Sequence, residues 1–222
     1  MFRPKLDILP PGQRQLWPDL EAIPANFVLY GGTALALRLG HRQSIDFDFF
    51  CNETFEPERL FATMGPLRNG RVDQRGNNTL SLVIDKAGPV KLSFFGGLGM
   101  NRVYDPDIAD NKVKLASLVD LTATKLNTIQ QRAEAKDYRD LAAALEAGMS
   151  LEESLSAARA VFGNKFNPLA ALKALTYFAD GNLGTLPIGL QHRLQAAAST
   201  VNLDALPQVS SKPGILASGK NS

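Results

Sequence analysis

The chain has 222 residues, one cysteine, two histidines and a formal charge of +2 at pH 7. Cys51 alone cannot form an intramolecular disulfide or a cysteine-clustered zinc site, and a near-neutral charge gives no argument for nucleic acid by itself. No apolar run approaches the roughly 18 residues of a membrane span. The start MFRPKLDILPPGQRQLWPDL, broken by prolines and charges, lacks the apolar core of a secretory signal, so a cytoplasmic protein without membrane contact is expected. With only His41 and His192 available, a bound metal would take oxygen ligands, which favour magnesium, manganese or calcium.

In chain order, QRQLWPDLEAI predicts a short helix packing by Leu16, Trp17, Leu20 and Ile23, with Trp17 as its anchor on the core. NFVLY reads as a strand ending at Gly31-Gly32, and TALALRLG as a helix stopping at Gly40. SIDFDFF alternates strictly, which puts Ile45, Phe47 and Phe49 on one face and Asp46, Asp48 and Phe50 on the other. A helix follows at Pro57 to Met64. RVDQR, TLSLVID and VKLSFF, separated by the turn signals GNN and KAGP, predict three antiparallel neighbours. From Leu115 the period becomes helical, with SLVDLTATKLNTIQQR, AKDYRDLAAALEAG, LEESLSAARAVFG (capped by a Ser150/Glu153 box), NPLAALKALTYFAD and PIGLQHRLQAAAST. The expected organisation is an α/β domain at 1–115, a helical subdomain at 116–205 and a disordered tail at 206–222.

The glycine pair ends a strand and opens a helix, a place where backbone N–H groups and the positive end of the helix dipole suit a phosphate. Thr33 offers a further hydroxyl donor, and Arg42 a cation near the same phosphate. Asp46 and Asp48, two apart on a strand, share a face and can hold one or two hard cations. Either feature alone is weak, since glycines end many strands and acids alternate on many surfaces. Together, strand, Gly-Gly-Thr, helix and D-x-D place a phosphate cradle and a carboxylate pair on adjacent strands. That arrangement suits metal-assisted nucleotidyl transfer, with attack at the α-phosphate and loss of pyrophosphate.

GGTALALRLGHRQSIDFDFF resembles the signature of the AbiEii/AbiGii-type nucleotidyltransferase toxins, a branch of the DNA polymerase β-like superfamily, through Gly31, Gly32, Thr33, Ser44, Asp46 and Asp48. DLTATKLNTIQQRAEAKDYRDL resembles the family's later motifs through Lys125, Arg132, Lys136, Asp137, Asp140 and Leu141. The resemblance implies an α/β (α+β) fold, a polymerase β-like mixed sheet with helices and a C-terminal helical subdomain that completes the site. It also implies Mg2+ (or Mn2+), an NTP substrate, an RNA acceptor such as the tRNA 3′ end, and a cognate antitoxin of a type IV system. Catalytic roles pass to Asp46, Asp48, Lys125 and Asp140, with Gly31, Gly32, Thr33, Arg42, Ser44 and Arg132 binding nucleotide. On one continuous helix, Lys125 and Arg132 would share a face and present two cations to the phosphates, whereas Lys136 and Asp140 would form an ordinary i, i+4 pair.

One position departs from the wider superfamily, whose enzymes commonly carry a third carboxylate on a later strand; VKLSFFGG offers Ser93 there, and Asp85 sits beside a turn. The alternative reading is therefore a catalytically silent nucleotide- or RNA-binding module.

Overall fold

The computed structural model describes residues 2–216. It comprises two compact units, one of residues 2–100, 105–117 and 213–216, the other of residues 101–104 and 118–212.

In the first unit, α1 (Pro11–Leu16) gives way at Trp17–Ala22 to a 3-10 turn, because Pro18 has no N–H to donate to an α-helical ladder. Leu16, Trp17 and Leu20 are buried as the amphipathic pattern requires, and Trp17 lies against Phe47. Gln13 is also buried, at 2 % exposure, and neither amide atom has a hydrogen-bond partner among the described residues. Replacing Gln13 with methionine, which is similar in size and apolar, is expected to raise the unfolding free energy by about 1 kcal/mol, since an unsatisfied buried amide costs roughly 1–3 kcal/mol. Urea denaturation measures the change, and a fall in stability would contradict it.

Seven strands among the described residues form one mixed sheet: β1 (Val28–Tyr30), β2 (Asp46–Phe50), β3 (Arg71–Gly76), β4 (Thr79–Lys86), β5 (Gly88–Phe95), β6 (Asp107–Ile108) and β7 (Lys114–Leu115). Their spatial order is β3-β4-β5-β2-β1-β7-β6. β3, β4 and β5 are the expected antiparallel meander; β2 joins it parallel to β5 and pairs antiparallel with β1. Phe47, Phe49 and Phe94 line the buried face, with Phe49 and Phe94 stacked at 5.4 Å. The opposite face carries Asp46, Asp48 and Phe50, the last stacked on Tyr30 at 5.0 Å. Ile45 departs from its expected place with the buried phenylalanines. It is 68 % exposed because it precedes the first paired residue of β2, so the alternation of the strand does not govern it.

α2 (Gly31–Leu39) follows β1 without a linker and buries Thr33 to Leu37. Arg38 donates from Nε to the Ala116 carbonyl at 2.8 Å and pairs with Asp107 at 2.8 Å, tying α2 to the β6–β7 edge. α3 (Pro57–Thr63) starts at a proline, where the missing N–H costs no helical hydrogen bond.

The second unit is helical: α4 (Leu118–Thr128), α5 (Ala135–Glu146), α6 (Leu151–Phe162), α7 (Pro168–Thr176) and α8 (Ile188–Ser199). The Ser150 hydroxyl accepts from the Glu153 amide, as the capping pattern predicts. Residues 101–104 attach to this unit because the buried Asp120 carboxylate accepts the Val103 and Tyr104 amides at 2.7 and 3.2 Å. The chain stays hydrogen-bonded past residue 206: Lys212 pairs with Arg102, and the Ile215 amide donates to Asn52 at 2.6 Å. The rest of the expected tail, 217–222, lies outside the described residues. No helix among the described residues is long and apolar enough to cross a membrane.

Candidate active site

Tyr30 ends β1 in extended conformation and supplies no side-chain cap to α2, whose first residue, Gly31, has φ +73°. The first-turn amides of a helix have no partner within it, so this junction presents backbone donors and a positive dipole end together. Three neighbours press on the glycines. A Cβ on Gly31 would collide with the Asp48 carboxylate, and one on Gly32 would come within 2.7 Å of Arg42 Nη2 and 2.8 Å of Ser44 Oγ. The left-handed φ and close approach together favour glycine at Gly31, while a Cβ at Gly32 would make Arg42 and Ser44 shift. Gly31→Ala is expected to cost at least about 1–2 kcal/mol from the positive φ alone, and to displace Asp48; thermal unfolding together with metal-dependent nucleotide binding checks both.

β2 supplies the carboxylates. Tyr30 pairs with Asp48 across β1 and β2, while Asp46 faces Lys91 and Asp48 faces Ser93 across β2 and β5. Both aspartates are half-buried and project on the face away from Phe47 and Phe49. Ser93 is buried beside Asp48 in the register, accepts a hydrogen bond from Ser81 at 3.2 Å, and occupies the place where a third carboxylate would stand. Asp85 lies at the β4–β5 turn, opposite Pro89. Lys91, next to Asp46, pairs with Asp73 at 3.1 Å.

Thr33 differs from expectation. Its side chain is fully buried and its hydroxyl donates to the Asp46 carbonyl, so its one donor is committed to holding β2 against α2 rather than offered to a phosphate. His41 and Arg42 follow the end of α2, and Arg42 Nη1 donates to the Gln43 carbonyl at 2.8 Å.

Among the described residues no three His, Cys, Asp or Glu side chains cluster as a metal site. The donor set nevertheless fits a hard divalent cation of the kind that takes one or two carboxylates and completes its shell with substrate phosphates and water. Asp46 and Asp48 provide those carboxylates, and the cradle that a Cβ would fill at Gly31 and Gly32 lies against Asp48.

The helical unit holds the second group of predicted residues. α4 ends at Thr128, and both Gln131 and Arg132 donate their amides back to the Thr128 carbonyl. Arg132 lies four residues beyond the end of α4, so it does not share one continuous helix with Lys125. Both cations converge instead on Asp137: Lys125 Nζ at 2.6 Å, Arg132 Nε at 2.9 Å and Nη2 at 3.3 Å. Lys125 also contacts Asp140 at 2.8 Å. Lys125 is only 8 % exposed at its side chain and both aspartates are fully buried, while the Arg132 side chain reaches the surface. Lys136 pairs with Glu134 at 2.8 Å rather than with Asp140, because Lys125 already takes the Asp140 carboxylate. Burial pushes the Asp137 carboxyl upward, but hydrogen bonds and charge from Arg132 and Lys125 outweigh it, and its pKa lies below the ordinary aspartate value. The family resemblance implies roles for Lys125 and Asp140 and none for Asp137. Its i, i+3 spacing from Asp140 carried the signal, since two acids on one inward helix face need buried cations.

Residues 16–207 match the family described as the AbiEii nucleotidyl transferase toxin of type IV toxin–antitoxin systems. An uncharacterized Aquifex aeolicus protein is 30% identical over 165 residues, covering 70% of this chain and 75% of that protein. The fold is similar to MenT4, a nucleotidyltransferase toxin of Mycobacterium tuberculosis, with TM-score 0.58 at 15% identity over 86% of this chain and 84% of that one. It is also similar to an H. pylori protein described as a candidate nucleotidyltransferase, with TM-score 0.55 at 17% identity over 85% and 92% of the two chains. With the match extending across most of its length, the chain belongs to the AbiEii family of nucleotidyltransferase toxins.

Proposed function

We propose that the protein transfers a nucleoside monophosphate from an NTP to RNA, the tRNA 3′ end being the acceptor to test first, with Mg2+ or Mn2+ held by Asp46 and Asp48. The observation that carries this reading is the Asp48 carboxylate packed against the Gly31–Gly32 junction, with Arg42 and Ser44 closing over the second glycine. The α2 amides at the glycines would bind a triphosphate oxygen, and Arg42 would add charge there. Ser44 would add a hydroxyl. A bound divalent cation would supply charge neutralisation and a lowered pKa for the attacking hydroxyl.

Lys125 and Asp140 are assigned to the reaction as positioning residues, because both are buried in the ion network that holds Arg132. Within the helical unit, Arg132 is the cation assigned to nucleotide. Toxin family membership supports a cognate antitoxin, and we assign the protein to the cytoplasm, where NTP and tRNA are found.

The test is transfer of label from α-labelled CTP, UTP, GTP and ATP into total tRNA, with and without magnesium. Label entering RNA only with the metal is expected. No transfer with any nucleotide, from folded protein that still binds NTP, would instead favour a silent binding module, for which Ser93 beside Asp48 is the one supporting feature.

A further inference from the structure

Where α7 ends, the chain turns extended at Tyr177 (φ −118°, ψ 118°), and successive side chains of an extended segment point to opposite sides. Phe178 takes the inward side, edge-on to the buried Tyr138 ring at 6.0 Å, and Tyr138 donates its hydroxyl to the Ala174 carbonyl at 3.2 Å. Tyr177 takes the outward side and is 57 % exposed. It borders a cavity of about 210 Å³ whose wall also includes Gln131, Arg132, Tyr138 and Asp180.

The wall is fixed by the chain around it. Gly181 (φ +53°) packs so closely on the Ala133 carbonyl that a Cβ there would collide with it, and Asn182 accepts the Ala135 amide at 2.7 Å. On the other side, Asp137 grips Arg132 through Nε and Nη2, which sets the direction of the guanidinium. The cavity is smaller than the roughly 300–1,000 Å³ of pockets that enclose a whole drug-sized ligand. Its volume is on the scale of one planar base rather than of a whole nucleoside triphosphate.

We infer that this cavity of the helical unit is a subsite for one nucleotide, its base stacked on Tyr177 and read by Asp180, its phosphate paired with Arg132. The inference rests on the nucleotidyltransferase reading for its choice of ligand, and on the cavity for its place. An aromatic face and a cation side by side are what single nucleotides are held by when no duplex is read. The Asp180 carboxylate accepts hydrogen bonds and donates none, so it favours bases that carry an exocyclic amine, and uracil has none. The same chemistry is offered by an incoming NTP and by the last nucleotide of an RNA acceptor.

The experiment is calorimetric titration of AMP, CMP, GMP and UMP without metal into the full chain, followed by a short oligoribonucleotide and by NTP with magnesium. Wild type, Tyr177→Ala, Tyr177→Phe and Asp180→Ala are compared. Wild type is expected to bind UMP most weakly. Tyr177→Ala should weaken monophosphate binding by about 5- to 150-fold, the range that base–aromatic stacking supplies, while Tyr177→Phe keeps it. Asp180→Ala should narrow the discrimination against UMP. Tyr177 dependence with the oligoribonucleotide alone assigns the subsite to the acceptor, with NTP alone to the donor; both support it. Wild type that binds no monophosphate, or Tyr177→Ala that binds like wild type, would overturn it. Failure of the transfer reaction with Tyr177-dependent binding intact would indict the proposed reaction and leave the subsite standing.

Discussion

Replacing Asp48 with asparagine is expected to lower nucleotidyl transfer by about 100- to 1,000-fold, the scale seen when one preorganised electrostatic group is removed from an active site. The substitution keeps the shape that packs against Gly31, so the thermal unfolding midpoint should stay close to wild type. Asp46→Asn should behave similarly, with a further requirement: the Asp46 carbonyl that accepts the Thr33 hydroxyl belongs to the backbone and survives the change. Loss of activity with an unchanged midpoint would place the effect in the chemistry. Full activity in Asp48→Asn would remove the carboxylate pair from the mechanism.

Replacing Lys125 with methionine should have a different signature, because it removes the ammonium that contacts both fully buried carboxylates, Asp137 and Asp140. Breaking a buried ion pair from one side costs about 3–5 kcal/mol, so denaturant unfolding should shift strongly, and activity should fall with it. Removing the second charge as well, in Lys125→Met/Asp140→Leu, should recover part of that stability, since well-packed apolar groups often replace buried ion pairs at little cost. Activity should not return, because the variant still lacks both Lys125 and Asp140, which are assigned to the reaction. A single mutant as stable as wild type would contradict the buried-network account.

The same network sets an acid limit. The Asp137 pKa in the fold lies below that of the unfolded chain, so its contribution is fully present above the ordinary aspartate value near 4. It is lost as pH falls below that and passes through the lowered value. Acid unfolding of the helical unit, followed by circular dichroism, should therefore move to higher pH in Asp137→Asn.

What the sequence made legible was local. The D-x-D alternation, the glycine pair at a strand end, the hairpin signals around β3, β4 and β5 and the helical periods after Leu115 each need only near neighbours, and the sheet and helices follow them. The parallel pairing of β2 with β5 has no signal within either strand, although it sets Ser93 beside Asp48. β6 and β7 are two residues each, too short to show alternation. Arg132 was read on a helix because TATKLNTIQQR keeps helical composition. α4 stops at Thr128, and Arg132 beyond it pairs with Asp137 of the next helix, a contact not written in periodicity. Thr33 looked like a phosphate donor because a hydroxyl at a helix start usually faces out; the close approach of β2 turns it inward.

The most direct test of the central claim is a crystal structure with Mn2+ and a non-hydrolysable NTP analogue, read by the anomalous signal of the metal. The account predicts manganese bound between the Asp46 and Asp48 carboxylates, with triphosphate oxygens on the Gly31 and Gly32 amides. Manganese and triphosphate bound away from β2 and the start of α2 would contradict it.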